Sequence, residues 1–210
     1  MKRWMTCAMG AMALLAFTVG SAADLVEGRD YTRLKAAPAG DKKIEVIEFF
    51  SYGCPHCNDL EPYLHAWAEK APTDVQFRRV PVMFQERWVG LAKDYYTLEA
   101  LGADMRLSPD IFNAIHVSGL PLYQDKAFFD WAAGKGLDRA KASEIYSSFA
   151  VDSKIKRARV LAQAYNIQAV PTLVVDGKYM TSSDRVGTHA NIPAALDALV
   201  TKARAERSKS

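Results

Sequence analysis

The spacing of apolar positions changes along the chain, and each change marks an element. Ile44-Glu45-Val46-Ile47-Glu48-Phe49-Phe50 is mostly apolar on both faces, the pattern of a strand buried within a sheet. Gly53 ends it and permits a tight turn. A helical stretch follows to about Lys70, with Pro62 inside it, where the missing N–H should kink the helix. Ala71-Pro72-Thr73-Asp74 reads as a turn. Val75 to Val82 reads as a second strand, with Pro81 near its end.

From Gln85 to about Ala150 the period is helical throughout: Trp88, Leu91, Ala92, Tyr95, Tyr96, Leu98 and Leu101 recur on one face. Ser108-Pro109-Asp110 reads as an N-cap with proline at the first helical position, opening a helix over Ile111–Val117. Asp125 and Asp138 are N-cap candidates for Lys126–Ala133 and Arg139–Phe149. Val151–Tyr165 reads as one more helix, with Ile155, Val160, Leu161 and Ala164 inward. Then Val170–Val175 reads as a strand opening at Pro171, and Asp176-Gly177 is a hairpin signal leading into Lys178–Thr181. A last helix starts near Asn191-Ile192-Pro193 and runs to about Arg204. With the helical block removed, a thioredoxin-like βαβ…ββα order remains. The expected class is therefore α/β, a thioredoxin-like fold with an inserted all-helical domain. Its expected divisions are 24–84, the insertion 85–150, and 151–210.

The N-terminus adds a compartment. Lys2 and Arg3, the apolar run Ala8–Val19 and the small residues Gly20-Ser21-Ala22-Ala23 have the form of a secretory signal over 1–23, cleaved after Ala22 or Ala23. The apolar run is shorter than the roughly 20 residues a membrane-spanning helix requires. Cleavage takes the basic residues from 27 to 25 against 24 acidic ones, a net charge of +1 in place of +3. Nothing in that balance suggests a nucleic-acid surface. Between the signal and the first core strand, Asp24–Asp41 is mixed and polar, with Tyr31 and Leu34 as anchors and a short strand expected. Cleavage also removes Cys7, leaving Cys54 and Cys57 in an oxidising compartment.

Those two cysteines, in Cys54-Pro55-His56-Cys57, stand at a strand-to-helix junction, a redox signature. Cys54 falls at the helix N-terminus, where unpaired N–H groups and the macrodipole favour a thiolate. Cys57, one turn on, can close a small disulfide ring, Cys54–Cys57. Such a bridge removes almost no loop entropy, so a purely structural role is a poor account of it. Cys54 is expected to be partly exposed and Cys57 the more buried, resolving thiol. His56 can donate hydrogen bonds or carry positive charge beside Cys54, and Pro55 constrains the turn. A stable thiolate favours the reduced state and so makes the disulfide oxidising. A zinc site from Cys54, Cys57, His56 or His65 lacks four well-spaced ligands, so neither metal nor cofactor is expected. His65 reads as a helix-surface residue, and Glu61 as a solvated one that could alternatively modulate the charge near the cysteines.

Glu48-Phe49-Phe50-Ser51-Tyr52-Gly53-Cys54-Pro55-His56-Cys57 resembles the active site of the DsbA family of bacterial periplasmic thiol:disulfide oxidoreductases. Val170-Pro171-Thr172 is similar to that family's cis-proline loop, and the resemblance covers essentially the whole mature chain. It implies a periplasmic dithiol oxidase that donates its disulfide to newly exported proteins through a mixed disulfide at Cys54. It further implies re-oxidation by a DsbB-like membrane protein. A monomer is expected. The resemblance also implies a cis bond before Pro171, with the Val170 backbone open to an extended substrate by strand addition. Glu48 matches the family's buried acid, and burial should raise its pKa and let it exchange protons with Cys57. Tyr52-Gly53 departs from relatives with aromatic residues there, and the glycine is expected to loosen the local surface.

Two other readings are open to test. A disulfide isomerase or reductase of the DsbC kind would carry a dimerisation domain ahead of the thioredoxin domain, and about 20 residues are too few for one. A chaperone or peptide-binding module with incidental cysteines would survive Cys54→Ser, whereas an oxidase would lose its activity.

Overall fold

The computed structural model describes residues 25–35 and 43–209. The expected signal segment and its cleavage site lie outside the described residues. Five strands form one mixed sheet in the order β1 (Thr32–Arg33), β5 (Tyr179–Thr181), β4 (Thr172–Val175), β2 (Ile44–Phe50), β3 (Val75–Pro81). β2 runs parallel to β3 and antiparallel to β4, and the other pairings are antiparallel. β2 is thus flanked on both sides, as its two apolar faces require. The hairpin between β4 and β5 turns at Asp176 and Gly177, with φ of 54° and 64°. Paired positive φ values of this kind are what Asp-Gly supplies at a two-residue hairpin turn.

Alternation along β2 divides the core. Val46 packs with Leu60, Leu64 and Trp67 of α1 (Pro55–Glu69) and with Leu196 and Leu199 of α8 (Ile192–Arg207). Ile47 and Phe49 join the cluster on the other side, where Phe49 meets Tyr165. The Trp67 indole N–H donates to Asp197 over 2.8 Å and ties α1 to α8. In the N-terminal lead, Tyr31 is buried and Leu34 half-buried against the core.

Between β3 and β4 the chain is helical: α2 (Arg87–Ala100), α3 (Asp104–His116), α4 (Asp125–Gly134), α5 (Arg139–Tyr146) and α6 (Phe149–Ala164). Several boundaries differ from the sequence expectations. α3 starts four residues before Ser108, so Ser108 is a buried mid-helix residue and Pro109 lies inside the helix. Asp125 is the first residue of α4 rather than its cap. Its carboxylate instead accepts from the Tyr146 hydroxyl at 2.7 Å. Asp138 does cap α5, accepting from the Lys141 N–H, but that helix stops at Tyr146 because Ser148 caps α6. In α6 the inward positions are Val151, Ile155 and Ala158, a regular helical stripe. Leu161 packs half-buried against the core, as expected, but Val160 is 67% exposed and Ala164 faces solvent, off that stripe. After β5 come two elements too short to have a period, α7 (Ser183–Val186) and a 3-10 turn at His189–Asn191.

An aromatic cluster joins the helical block to the end of β2. The Phe50 ring meets Tyr52 and Tyr95 edge-on at 5.0 and 5.3 Å, and Tyr52 meets Phe112 of α3 at 5.1 Å. Edge-to-face pairs at these separations are favourable beyond the area they bury. The loop leading from β2 into α1 is therefore held by both halves of the molecule.

Candidate active site

That loop closes through its own backbone. The Cys54 N–H donates to the Ser51 carbonyl at 3.1 Å, and the Gly53 N–H to the Ser51 hydroxyl at 3.1 Å. Cys54 is the N-cap of α1, with extended backbone, and Pro55 occupies the first helical position. This is where a proline lacking an N–H is tolerated, since that N–H would have no helical partner. His116 braces the loop from outside: its Nε2 donates to the Tyr52 carbonyl at 2.8 Å while its ring stacks on Phe112.

Gly53 is not a point of looseness. A Cβ built there would lie 2.6 Å from Trp88 Nε1 and 2.9 Å from Leu91 Cδ1. The missing side chain lets the Trp88 indole of α2 pack directly on the turn, which tightens the local surface.

Both cysteines are free thiols, so the pair is in its dithiol state. Cys57 is fully buried, and Cys54 is only 6% exposed, less than a helix-start position suggests. The cover comes from the loop before β4. The Val170–Pro171 peptide is cis, and the Cys54 thiol lies 3.4 Å from the Val170 carbonyl oxygen, to which it donates. In this state that carbonyl is engaged by the thiol rather than open. Pro55 and His56 are exposed beside it.

The two thiols are pushed in opposite directions. Cys54 is lowered to about 6, first by the hydrogen bond from Cys57, then by the N–H groups of Cys57 and His56 and by the His56 charge, with burial opposing. Cys57 is raised well above the ordinary thiol range by burial, by its bond to Cys54 and by the Glu48 charge. Burial penalises the charged form at Cys57, while donors at the helix start outweigh it at Cys54.

Glu48 lies two strand residues, Phe49 and Phe50, before the loop and is buried, as expected, but it is not alone. β2 and β3 are in register so that Glu48 sits opposite Arg79. The Arg79 guanidinium is also buried, and its three nitrogens are each used. Nε donates to Glu48 at 2.7 Å, Nη1 to the Ser108 hydroxyl at 2.6 Å, and Nη2 to Glu61 at 2.5 Å. Glu61 is therefore not on a solvated face. It is buried on α1 and faces Arg79. His65, one turn further on, is half-buried, with Nδ1 3.4 Å from Glu61 and without hydrogen-bond alignment. Burial drives the Glu48 carboxyl up, and Arg79 only partly offsets it. At Arg79 burial opposes the charge, and the carboxylates of Glu48 and Glu61 outweigh it. Arg79 and Ser108 went unrecognised in the sequence. The signal that could have found Arg79 is a parallel register matching Ile44 to Val75, which puts an acid and a base at the same offset in both strands.

Comparison with known proteins decides what this site belongs to. The family model for the DSBA-like thioredoxin domain matches residues 89–192. The thiol:disulfide interchange protein DsbA of Pseudomonas aeruginosa is 37% identical over 211 residues, covering 100% of both chains. That of Azotobacter vinelandii is 40% identical over 186 residues, 88% of this chain and 87% of that protein. The crystal structure of Pseudomonas aeruginosa DsbA superposes with a TM-score of 0.83 at 37% identity, over 88% of this chain and 97% of that one.

The chain belongs to the DsbA family. It is a thiol:disulfide oxidoreductase with a thioredoxin fold carrying a helical insertion, and a dithiol oxidase by kinship. Within this DsbA-family fold the described geometry places Cys54, Pro55, His56, Val170 and Pro171 around the turn, with Cys57 and Glu48 buried behind it. It adds Arg79, Ser108 and His116 around them.

Proposed function

We propose that Cys54 and Cys57 are the redox pair and that their disulfide is donated to exported proteins while they fold. A substrate thiolate attacks the Cys54 sulfur and breaks the Cys54–Cys57 bond. The electron pair leaves on Cys57, which takes up a proton, with Glu48, the buried acid whose charge acts on Cys57, placed to exchange it. A second substrate thiolate then attacks the substrate sulfur of the mixed disulfide and expels Cys54 as a thiolate. The substrate is oxidised by two electrons, and the enzyme pair is reduced by the same two. A low thiol pKa at Cys54 makes it the better leaving group in this second step.

The observation that carries the reading is Cys54 at the start of α1, its sulfur 3.4 Å from the Val170 carbonyl. In the disulfide form Cys54 has no S–H, which leaves the Val170 carbonyl beside the sulfur to accept from a substrate strand laid along Val170 and Pro171. His56 and Pro55 shape the approach. The periplasm as working compartment, a DsbB-like membrane oxidase for re-oxidation and a monomeric state complete the proposal. Among the described residues no helix is long and apolar enough to cross a membrane. Residues 85–150 are read as an insertion into a domain made of 24–84 and 151–210, supported by all five described strands lying outside it.

Equilibration of the purified protein with glutathione buffers, read by alkylation of free thiols, tests the reading. The expected disulfide is reduced far more readily than a structural bridge, and Cys54→Ser abolishes oxidation of a dithiol peptide. A bond that resists glutathione, or a Cys54→Ser variant with full activity, overturns it.

A further inference from the structure

Beside the active-site turn three side chains converge that no step above uses in common. His56 and Asp59 stand three residues apart on the first turns of α1, and His189 comes from the 3-10 turn that packs against that helix. One potential ligand atom from each lies within 4.8 Å of the others. The imidazoles of His56 and His189 are 6.5 Å apart, centre to centre. The zinc site that the sequence argues against was drawn from Cys54, Cys57, His56 and His65. The chain fold supplies a different partner, His189, remote in sequence.

We propose that His56, Asp59 and His189 form a binding site for a borderline divalent transition metal such as zinc, at the rim of the hollow that contains Val170 and Pro171. The donor set is two imidazoles and one carboxylate, which suits such an ion and leaves a position for water. A tetrahedral shell with bonds of about 2.1 Å places ligand atoms about 3.4 Å apart, so the three groups must draw in slightly. His56 and Asp59 are exposed and free to rotate. His189 is not free in that way. Its Nδ1 lies 2.6 Å from the hydroxyl of buried Ser183. A Nδ1–H donating to that oxygen fixes the ring and leaves the Nε2 lone pair for the metal. A metal-binding histidine anchored through its other nitrogen is the usual arrangement at such sites.

The test is calorimetric titration of zinc chloride into the untagged protein in its disulfide form, so that neither Cys54 nor Cys57 offers a thiolate. Cobalt(II) absorption in the visible serves as a second readout of the ligand shell. One metal ion per chain is expected. His189→Ala and Asp59→Asn should each weaken binding by about tenfold or more, and Ser183→Ala by about tenfold through loss of the ring's anchor. Unchanged far-ultraviolet circular dichroism in each variant shows that the fold is kept. Absence of binding at millimolar zinc overturns the proposal, as does binding that none of the three substitutions weakens.

Discussion

Arg79 Nε donates to Glu48 Oε2 across 2.7 Å, and both side chains are 2% exposed. The same guanidinium holds Glu61 and Ser108. Arg79→Met removes the only cation of this buried group as described and strands two carboxyls and a hydroxyl. Breaking a buried pair from one side costs about 3–5 kcal/mol. Urea unfolding of Arg79→Met should show a loss of that size. Replacing Glu48, Glu61 and Arg79 together by apolar residues of similar volume should cost much less, because no charge is then left unpaired.

The lowered Cys54 thiol predicts a pH profile for the reduced protein. Alkylation by iodoacetamide should rise with a midpoint near pH 6 and level off above it, because the Cys54 pKa is about 6. An ordinary thiol titrates near 8.5. The folded value lies below the unfolded one, so the thiolate stabilises the reduced protein. That stabilisation is complete above the unfolded value and is lost as pH falls through the folded one. Unfolding of reduced protein and of Cys54→Ser, compared across pH 6 to 9, should diverge as pH rises. A midpoint near 8.5 would remove the energetic basis of the oxidase reading.

How far the sequence alone led depends on the kind of element. β2, α1 and the Asp176-Gly177 hairpin were legible because period, helix start and positive φ are local properties. Ser108 was misread because Ser-Pro-Asp is a sound helix-start pattern, and only the fold shows its hydroxyl turned to Arg79. Arg79 itself, next to Arg78 in a strand, looks like a solvated charge until the register with β2 sets it against Glu48. α7 and the turn bearing His189 are too short for any periodic signal. The site's chemistry was readable from one short motif, and its buried electrostatics only from pairing across the sheet.

Gly53→Ala tests the packing of Trp88 on the turn. The added methyl would stand 2.6 Å from the indole nitrogen and 2.9 Å from a Leu91 methyl, so one of them must move. Overpacking of this kind costs about 1–3 kcal/mol. The expected result is lower stability with a changed tryptophan emission spectrum and a slower reaction at Cys54, whose backbone adjoins the displaced group. A glycine that merely loosened the surface would predict the opposite, a more stable alanine variant with the same emission.

Asp94 on α2 is wholly buried, and neither carboxylate oxygen has a hydrogen-bond partner among the described residues. Burial, reinforced by the Asp125 charge, drives its pKa well above the ordinary carboxylate value. The folded protein therefore keeps a proton at Asp94 that the unfolded chain releases above about pH 4. From there upward this group lowers stability as pH rises, by up to about 1.4 kcal/mol per pH unit, until the folded carboxyl itself titrates. Asp94→Asn cannot ionise, so its stability relative to the native chain should climb between pH 4.5 and 7, read from urea midpoints at each pH. Asp94→Leu should be more stable still by about 1–3 kcal/mol, since it also removes the unmet polar atoms. Parallel pH profiles for Asp94→Asn and the native chain would mean that the carboxyl is paired or hydrated after all.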